Sequence, residues 1–380
     1  MAEKMNHRNL PPVNGFILDA LAFNFGAATP SPPDDLNWDD FLKAVVHHRV
    51  PLLLTALEKN IPLPAAVSQR LRAMQKRAAL RTLTLTAAAV QAVTACRAVG
   101  IRSLLLKGPA HSTLFFGRLD SRWYRDIDLL VQPEDLAVAL QVLTGLGYAT
   151  VGNEGGAATL HRQQDNATIE LHSALDIDER LLPVSLLQPF DGAREIMLAD
   201  SPIAIMNPEK SVVYAAFHGA KHLWSQYFWL CDIAAARLCG TVDWAEALAI
   251  ARRVGVDRHL LLACLLAEEH LGVPSPLHGL VEPREIDRVR RLARELHPVL
   301  ADEDFDGGGT SFRLLGRMRY LWWDIRLQRR TSARWAVLAW PWRPSERDRR
   351  FLPLPKPLEA LYPLVRLYRV LTDAVARRNR

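Results

Sequence analysis

Cysteine is scarce in this chain, with four in 380 residues (Cys96, Cys231, Cys239 and Cys264) and no C-x-x-C among them. That spacing excludes a zinc ribbon or a thioredoxin-type motif. Their apolar, helix-like surroundings predict buried free thiols rather than disulfides. The G-x-x-x-x-G-K-[ST] phosphate loop is absent, and so is the H-E-x-x-H of a zinc protease. No basic segment followed by an apolar one opens the chain, which argues against a secretory leader. No apolar run approaches the ~20 residues of a membrane-spanning helix. Internal repeats and low-complexity tracts are also lacking. Together these absences lead to the expectation of a soluble, cytoplasmic protein.

What is present is ordinary globular composition: 49% apolar, 23% charged and a net charge of +6. The length predicts two or three domains with ample core. Residues 64–99 contain helix-forming residues in an i, i+3, i+4 apolar pattern, without internal glycine, and Gly100 closes the run. The period then changes. Residues 101–106 read as a buried strand, 109–116 as a helix with proline in its first turn, 126–131 as a strand and 133–143 as a helix. Further strands are expected at 147–151, 159–162 and 167–172. After Pro202 the pattern turns helical again, at 208–224, 227–238, 244–254, 258–271 and 283–292. A glycine-rich loop at 305–310 precedes basic amphipathic helices over 311–342 and 355–378. The fold class expected is α+β. A helical region spans 1–100, a small mixed α/β core 101–205, a helical domain 206–300, and a basic Trp/Arg-rich helical region 301–380.

Chemistry is concentrated in the α/β segment. Asp126 and Asp128 open a strand whose remainder is apolar, and residues two apart on a strand share a face. Glu170 lies between Ile169 and Leu171 in an alternating strand. An acid in such a run costs stability unless something pairs with it. If the two strands lie side by side, three carboxylates converge, a donor set suited to Mg²⁺; solvated edge acids are the other reading. Lys107-Gly108-Pro109 forms a strand-to-helix turn. Its glycine lets backbone approach a phosphate, and the helix N-terminus adds a positive dipole end. A plain turn with a surface lysine fits the same three residues. Arg118, Arg122 and Arg125 lie between these pieces; Arg122 and Arg125 are placed to neutralise phosphate or to pair with the acids.

Taken together, Lys107-Gly108 after Leu105 and Leu106, Arg122 followed by Asp126-Ile127-Asp128-Leu129-Leu130-Val131, Leu146-Gly147-Tyr148, and Ile169-Glu170-Leu171-His172 resemble one known pattern. It is that of a poorly characterised bacterial nucleotidyltransferase-like family within the polymerase-β-type superfamily. His218-Gly219-Ala220-Lys221-His222 and Phe228-Trp229-Leu230-Cys231-Asp232 resemble the family's C-terminal half, so the likeness covers roughly residues 35–240. It implies a small nucleotidyltransferase core sheet flanked by an N-terminal helical lead-in and a larger C-terminal helical region. It also implies two Mg²⁺ ions on Asp126, Asp128 and Glu170, holding an NTP, with ATP the expected one. An acceptor hydroxyl or amine then attacks the α-phosphorus and pyrophosphate leaves. Lys107, Gly108, Arg122, Arg125 and His172 are the expected nucleotide contacts. The acceptor is a peptide, glycan or small molecule; nucleic acid is not expected. In one respect the chain departs from the superfamily, whose turn is commonly Gly-Ser or Gly-Gly where this one has Lys107-Gly108. The alternatives are a kinase-like phosphoryl transfer at the same metals and a non-catalytic binding module.

His218 and His222 have the spacing of a zinc pair, but Gly219 stands where H-E-x-x-H has its glutamate and no third ligand is evident. With Lys221 they read as a polar stripe lining a cleft toward nucleotide or acceptor, or as histidines bonded to Asp232. The block from Arg317 to Arg343 mixes arginine with Trp322, Trp323, Trp335, Trp340 and Trp342. It fits a packed helical domain with arginine on its wet side, the favoured reading, or peripheral contact with an anionic membrane.

Overall fold

The computed structural model describes residues 10–154, 157–305, 316–343 and 346–366, with 368, 369 and 372. The expected loop at 305–310 and parts of the helices expected over 311–342 and 355–378 lie outside them. Four helices lead in: α1 (Pro12–Phe23), α2 (Trp38–His47), α3 (Thr55–Asn60) and α4 (Ala65–Ala98). Seven strands follow, interleaved with α5 (Pro109–Phe116), α6 (Leu136–Gly145) and α7 (Val184–Leu187). They are β1 (Ser103–Leu105), β2 (Ile127–Val131), β3 (Ala149–Glu154), β4 (Ala157–Arg162), β5 (Ala167–His172), β6 (Arg194–Leu198) and β7 (Ser201–Ile205). The chain then returns to helices: α8 (Pro208–Lys221), α9 (Phe228–Leu238), α10 (Trp244–Val254), α11 (Asp257–Leu271), α12 (Pro283–Arg294), α13 (His297–Leu300), α14 (Arg317–Leu327), α15 (Thr331–Ala339) and α16 (Glu346–Phe351). The class is α+β.

The strands form one mixed sheet in the order β3-β4-β5-β2-β1-β7-β6. At its centre β2 runs parallel to β5 and antiparallel to β1. Alternation along these strands divides the core in two. Leu105, Ile127, Leu129, Val131, Ile169 and Leu171 pack into a cluster with the second half of α4. Leu104, Leu106 and Leu130 face the other way, into the larger cluster built around α8, α9 and α11. The sheet is thus covered on both faces, and polar groups on the second face look toward the helical half.

Helix α4 is 34 residues long. Where it meets the sheet it presents Ala88, Ala89, Ala92 and Val93, small side chains that permit close approach. The expectation that no apolar run reaches spanning length does not hold here. One 18-residue window of α4 is long and apolar enough to cross a bilayer by length and composition, although 44% of it is buried in the fold. Scattered threonine and glutamine disguise that window in the sequence. The cysteines are free, with Cys96, Cys231 and Cys264 buried and Cys239 half-buried.

Two elements differ from the sequence expectation. β6 and β7 form a hairpin where no strand was expected, and β7 lies parallel to β1 with Leu105 opposite Ile205. Ala199 and Asp200 make its turn, both at positive φ, the backbone that a two-residue type I′ hairpin needs. The helix expected to reach residue 224 ends at Lys221, and Leu223 and Trp224 are left-handed (φ 53° and 54°). This turn carries the Trp224 ring onto Gly219. A Cβ at Gly219 would lie 2.6 Å from that ring, so no glutamate fits there.

Candidate active site

A cleft of about 550 Å³ opens between the second face of the sheet and helices α8 and α9. Its floor is set by strand register. Asp128 is opposite Glu170 in the parallel β2–β5 pair, and Leu130 is opposite His172. Asp128, Glu170 and His172 therefore share a face. Each offers a ligand atom, and these atoms lie within 4.8 Å of one another. His172 Nε2 is 3.4 Å from Asp128 Oδ1 and 3.5 Å from Glu170 Oε2. Asp126 precedes β2 and lines the same cleft, half-buried, but does not belong to that tight group of three.

Lys107 closes the floor from the β1 side. The Leu106 N–H donates to the Asp128 carbonyl at 3.0 Å, which fixes the end of β1 beside β2. Lys107 Nζ then lies 2.9 Å from Asp128 Oδ1. The next residue, Gly108, has φ +58° and ψ −115°, and a Cβ there would approach the Tyr124 ring to 3.3 Å. Backbone conformation and space both call for glycine at this turn.

The charges follow from this packing. Burial works against the Asp128 carboxylate, but Lys107 and His172 hold its pKa well below the usual carboxylate range. Burial also opposes the charge on Lys107, and Asp128 overrides it, so the ammonium persists. His172 is pulled down by burial and pushed up more strongly by Asp128 and Glu170. Asp126 moves the other way: burial and the neighbouring Asp128 charge raise its pKa.

Arg122 is not the charge partner of the Asp126/Asp128 pair. It is buried, and its Nε donates to both carboxylate oxygens of Asp232 on α9, at 2.9 and 3.0 Å. Its guanidinium lies 4.6 Å from the centre of the Phe228 ring. Asp232 also faces His111 Nδ1 at 3.5 Å, so it is occupied and does not hold His218 or His222. Arg125 is exposed, outside the cleft lining, with its guanidinium over Trp123 at 5.3 Å. Arg118 pairs with Asp120 at the surface.

The polar stripe of α8 does reach the cleft. His218 Nε2 is 3.4 Å from Lys107 Nζ, Lys221 Nζ is 2.6 Å from Asp176 Oδ2, and His222 stacks on Trp229 at 5.2 Å. The two histidine rings are 4.6 Å apart. Among the described residues they gather no third metal ligand. Reasoning from sequence overlooked Arg49, Tyr214, Asp176, Phe228 and Trp229, all of which line the cleft. Arg49 is mostly buried and left-handed (φ 55°); burial first, and then Arg125, lower its pKa to about 10. Two signals pointed to parts of this set: Phe228-Trp229 two residues before the Cys231-Asp232 segment, and an arginine just after a histidine pair. Neither has a spacing rule that links it to residues 126–172.

Buried histidines set a pH dependence. His48, His111, His218, His222 and His259 are all depressed by burial, His222 to about 4. A histidine depressed in the fold binds its proton more readily when unfolded, so stability is lost as pH falls through about 6.5. His172, raised in the fold, works in the opposite direction, stabilising below that pH. The majority decides the sign. The urea midpoint is expected to drop between pH 7.5 and about pH 5.5, with Asp324, which burial raises to about 6, offsetting part of the loss; a midpoint that rises over this window contradicts the assignment.

With the site in view, likeness to known proteins can be weighed. A model of the family described as "uncharacterised nucleotidyltransferase" matches residues 34–272, well over half the chain. The chain belongs to that family. Among solved structures it is similar to an antigenic nucleotidyltransferase-like protein from Paracoccidioides brasiliensis. The two are 14% identical over 52% of this chain and 94% of that one, with a TM-score of 0.32. No curated protein matches.

Nucleotidyltransferases generally work with a divalent metal, and the residues here can be tested for one. Asp128 Oδ1 and His172 Nε2 are both buried, and neither has a hydrogen bond of good geometry. Buried polar atoms without such bonds are uncommon and call for an explanation. Asp128 Oδ1 faces only cationic groups, Lys107 Nζ at 2.9 Å and His172 Nε2 at 3.4 Å, and with the 38%-exposed Glu170 carboxylate beside it offers a hard cation oxygen ligands reached from the cleft. The donor set suits the metal that this nucleotidyltransferase family implies.

Proposed function

We propose that the chain is a Mg²⁺-dependent nucleotidyltransferase that moves a nucleoside monophosphate from an NTP, ATP first among them, to a hydroxyl or amine of an acceptor. The observation that carries the reading is the register of β2 against β5. It sets Asp128, Glu170 and His172 on one face at the floor of the cleft. Asp126, Asp128 and Glu170 would hold the metal, with His172 beside them. Bound there, metal neutralises charge on the phosphate oxygens and stabilises the attacking and leaving oxygens of an in-line displacement. The chain's own contribution is position and charge. Lys107 and Arg49 present cations to the phosphates, Gly108 admits them against the backbone, and Phe228 and Trp229 offer aromatic surface for the base. Lys221, His218 and His222 stand on the opposite wall, where the acceptor enters. In the balanced reaction the acceptor oxygen or nitrogen bonds to the α-phosphorus and loses its proton, and the α–β bridge bond breaks to release pyrophosphate.

The lysine at the turn keeps kinase-like phosphoryl transfer as a second reading, because a point charge serves a γ-phosphate equally well. NTP labelled separately at the α and γ positions, incubated with Mg²⁺ and pools of peptides, glycans and small amines, separates the two. Label from the α position is expected on the acceptor, with a mass gain of one nucleotide monophosphate. Label from the γ position overturns the proposal in favour of phosphoryl transfer. Absence of Mg²⁺-NTP binding by calorimetry overturns both in favour of a binding module.

A further inference from the structure

The basic surplus of this protein belongs to its last 64 residues. Residues 317–380 hold sixteen Lys and Arg against five Asp and Glu, a net charge of +11, so residues 1–316 carry −5. The same 64 residues hold five of the ten tryptophans. The fold uses only one of the five as core. Trp323 is 1% exposed and its indole N–H donates to the Leu292 carbonyl at 3.0 Å, whereas Trp322, Trp335 and Trp342 are 62%, 63% and 56% exposed.

Helical spacing explains the split. On α14, Tyr320, Trp323 and Leu327 are buried at i, i+3 and i+7, which turns Met318, Arg319 and Trp322 outward. On α15, Ala333, Ala336 and Val337 are buried, which turns Arg334, Trp335 and Leu338 outward. The two helices pack on each other. Each therefore keeps a conventional apolar side for the protein and presents a second apolar stripe, with arginine beside it, to the outside. Arg326 and Arg329 are tied down by Glu295, Asp257 and Glu285. Arg319 and Arg334 have no carboxylate partner among the described residues.

A packed domain with a wet arginine face does not need methionine, leucine and three tryptophans on that face. Exposed tryptophan next to arginine is the composition of a helix lying at a bilayer interface, where the indole sits among headgroups and the guanidinium meets lipid phosphate. We propose that α14, α15 and the Trp340–Trp342 turn that follows form a docking surface for an anionic phospholipid bilayer. Charge complementarity selects this occupant: residues 317–343 hold seven Arg against one Asp, on a protein whose first 316 residues carry −5, which turns this end toward a negatively charged plane. The surface is separate from the carboxylates of the cleft. Arg343 nevertheless pairs with Asp178, two residues from the cleft-lining Asp176, so the docked helices are fastened to the cleft wall.

Flotation of the full chain with lipid vesicles tests this. Vesicles of phosphatidylcholine containing about one-third phosphatidylglycerol are expected to carry the protein upward at least ~10-fold more than phosphatidylcholine alone, and less so as salt rises. Trp322→Ala with Trp335→Ala, and separately Arg319→Glu with Arg334→Glu, are each expected to cut that partition by about tenfold or more. All four side chains are exposed, but Arg334 also donates its Nε–H to the Gln328 carbonyl at 3.1 Å, so the melting temperature is measured for each variant and the tryptophan pair, which makes no such bond, carries the test free of misfolding. Equal flotation on both vesicle types, no flotation on either, or unchanged flotation of both variants overturns the proposal. Preferential capture by RNA or a polyglutamate peptide, with no vesicle binding, also overturns it and identifies a soluble polyanion instead.

Discussion

Asp128→Asn is expected to lower nucleotidyl transfer by about 10³-fold or more, a loss of roughly 4 kcal/mol of transition-state stabilisation. Asparagine keeps the volume of the side chain, so the β2–β5 register survives. What disappears is the negative charge that Lys107 and His172 both address and that a divalent cation needs. The same substitution leaves Lys107 without its carboxylate, but at 14% side-chain exposure on the cleft wall the ammonium can recruit water. Glu170→Gln provides a second, independent variant. Glu170 is 38% exposed and costs little stability to neutralise, yet it belongs to the same ligand group. Initial rates at saturating Mg²⁺ and NTP, with circular dichroism as the check on folding, decide the matter. Near-normal kcat in both variants sinks the metal assignment.

The largest effect on stability is expected elsewhere. Asp232→Ala should destabilise the fold by about 3–5 kcal/mol, because it strands a buried guanidinium. Arg122 and Asp232 are both nearly inaccessible, and they join the segment ahead of β2 to α9 across the back of the cleft. His111 loses its carboxylate neighbour at the same time. The stacking of Arg122 over Phe228 remains, but it does not replace a bidentate ionic partner. Arg122→Met combined with Asp232→Leu removes both charges and should recover most of the loss. Urea unfolding of the two single variants and the double variant completes the cycle. A cost for Asp232→Ala below about 1 kcal/mol would falsify the view of this pair as a structural clamp.

These two aspartates show what a sequence discloses and what it withholds. Asp128 was legible as a candidate, with solvated edge acids the competing reading, because the i, i+2 rule gives its face at the mouth of an apolar strand. Glu170 and His172 were legible for the same reason, through the alternation of Ala167–His172. That β2 and β5 are neighbours was not legible, since nothing local encodes a parallel pairing between strands forty residues apart. Asp232 was visible as part of a family-like segment and as a candidate partner for the α8 histidines, and its actual tie to Arg122 depends on how α9 folds back over the sheet. Arg49 was hidden in the lead-in by distance along the chain. The β6–β7 hairpin was hidden by chemistry: its turn uses Ala199-Asp200 at positive φ instead of Asn-Gly, and Arg194 and Glu195 break the apolar alternation that marks a strand. Trp224, with its left-handed backbone, looked like one more helical residue.

The bridge between Lys107 and Asp128 has a thermodynamic consequence if the cleft transfers nucleotides. An ammonium already acts as counter-ion to Asp128 Oδ1, so a divalent cation must compete with it for that oxygen. An incoming triphosphate gives the ammonium a new partner within reach of its flexible stem. Ion and nucleotide then assist each other, and linkage makes the assistance reciprocal: each raises the other's affinity by the same factor. A protein wired in this way holds little divalent ion when idle and assembles its charged centre only when a nucleotide arrives.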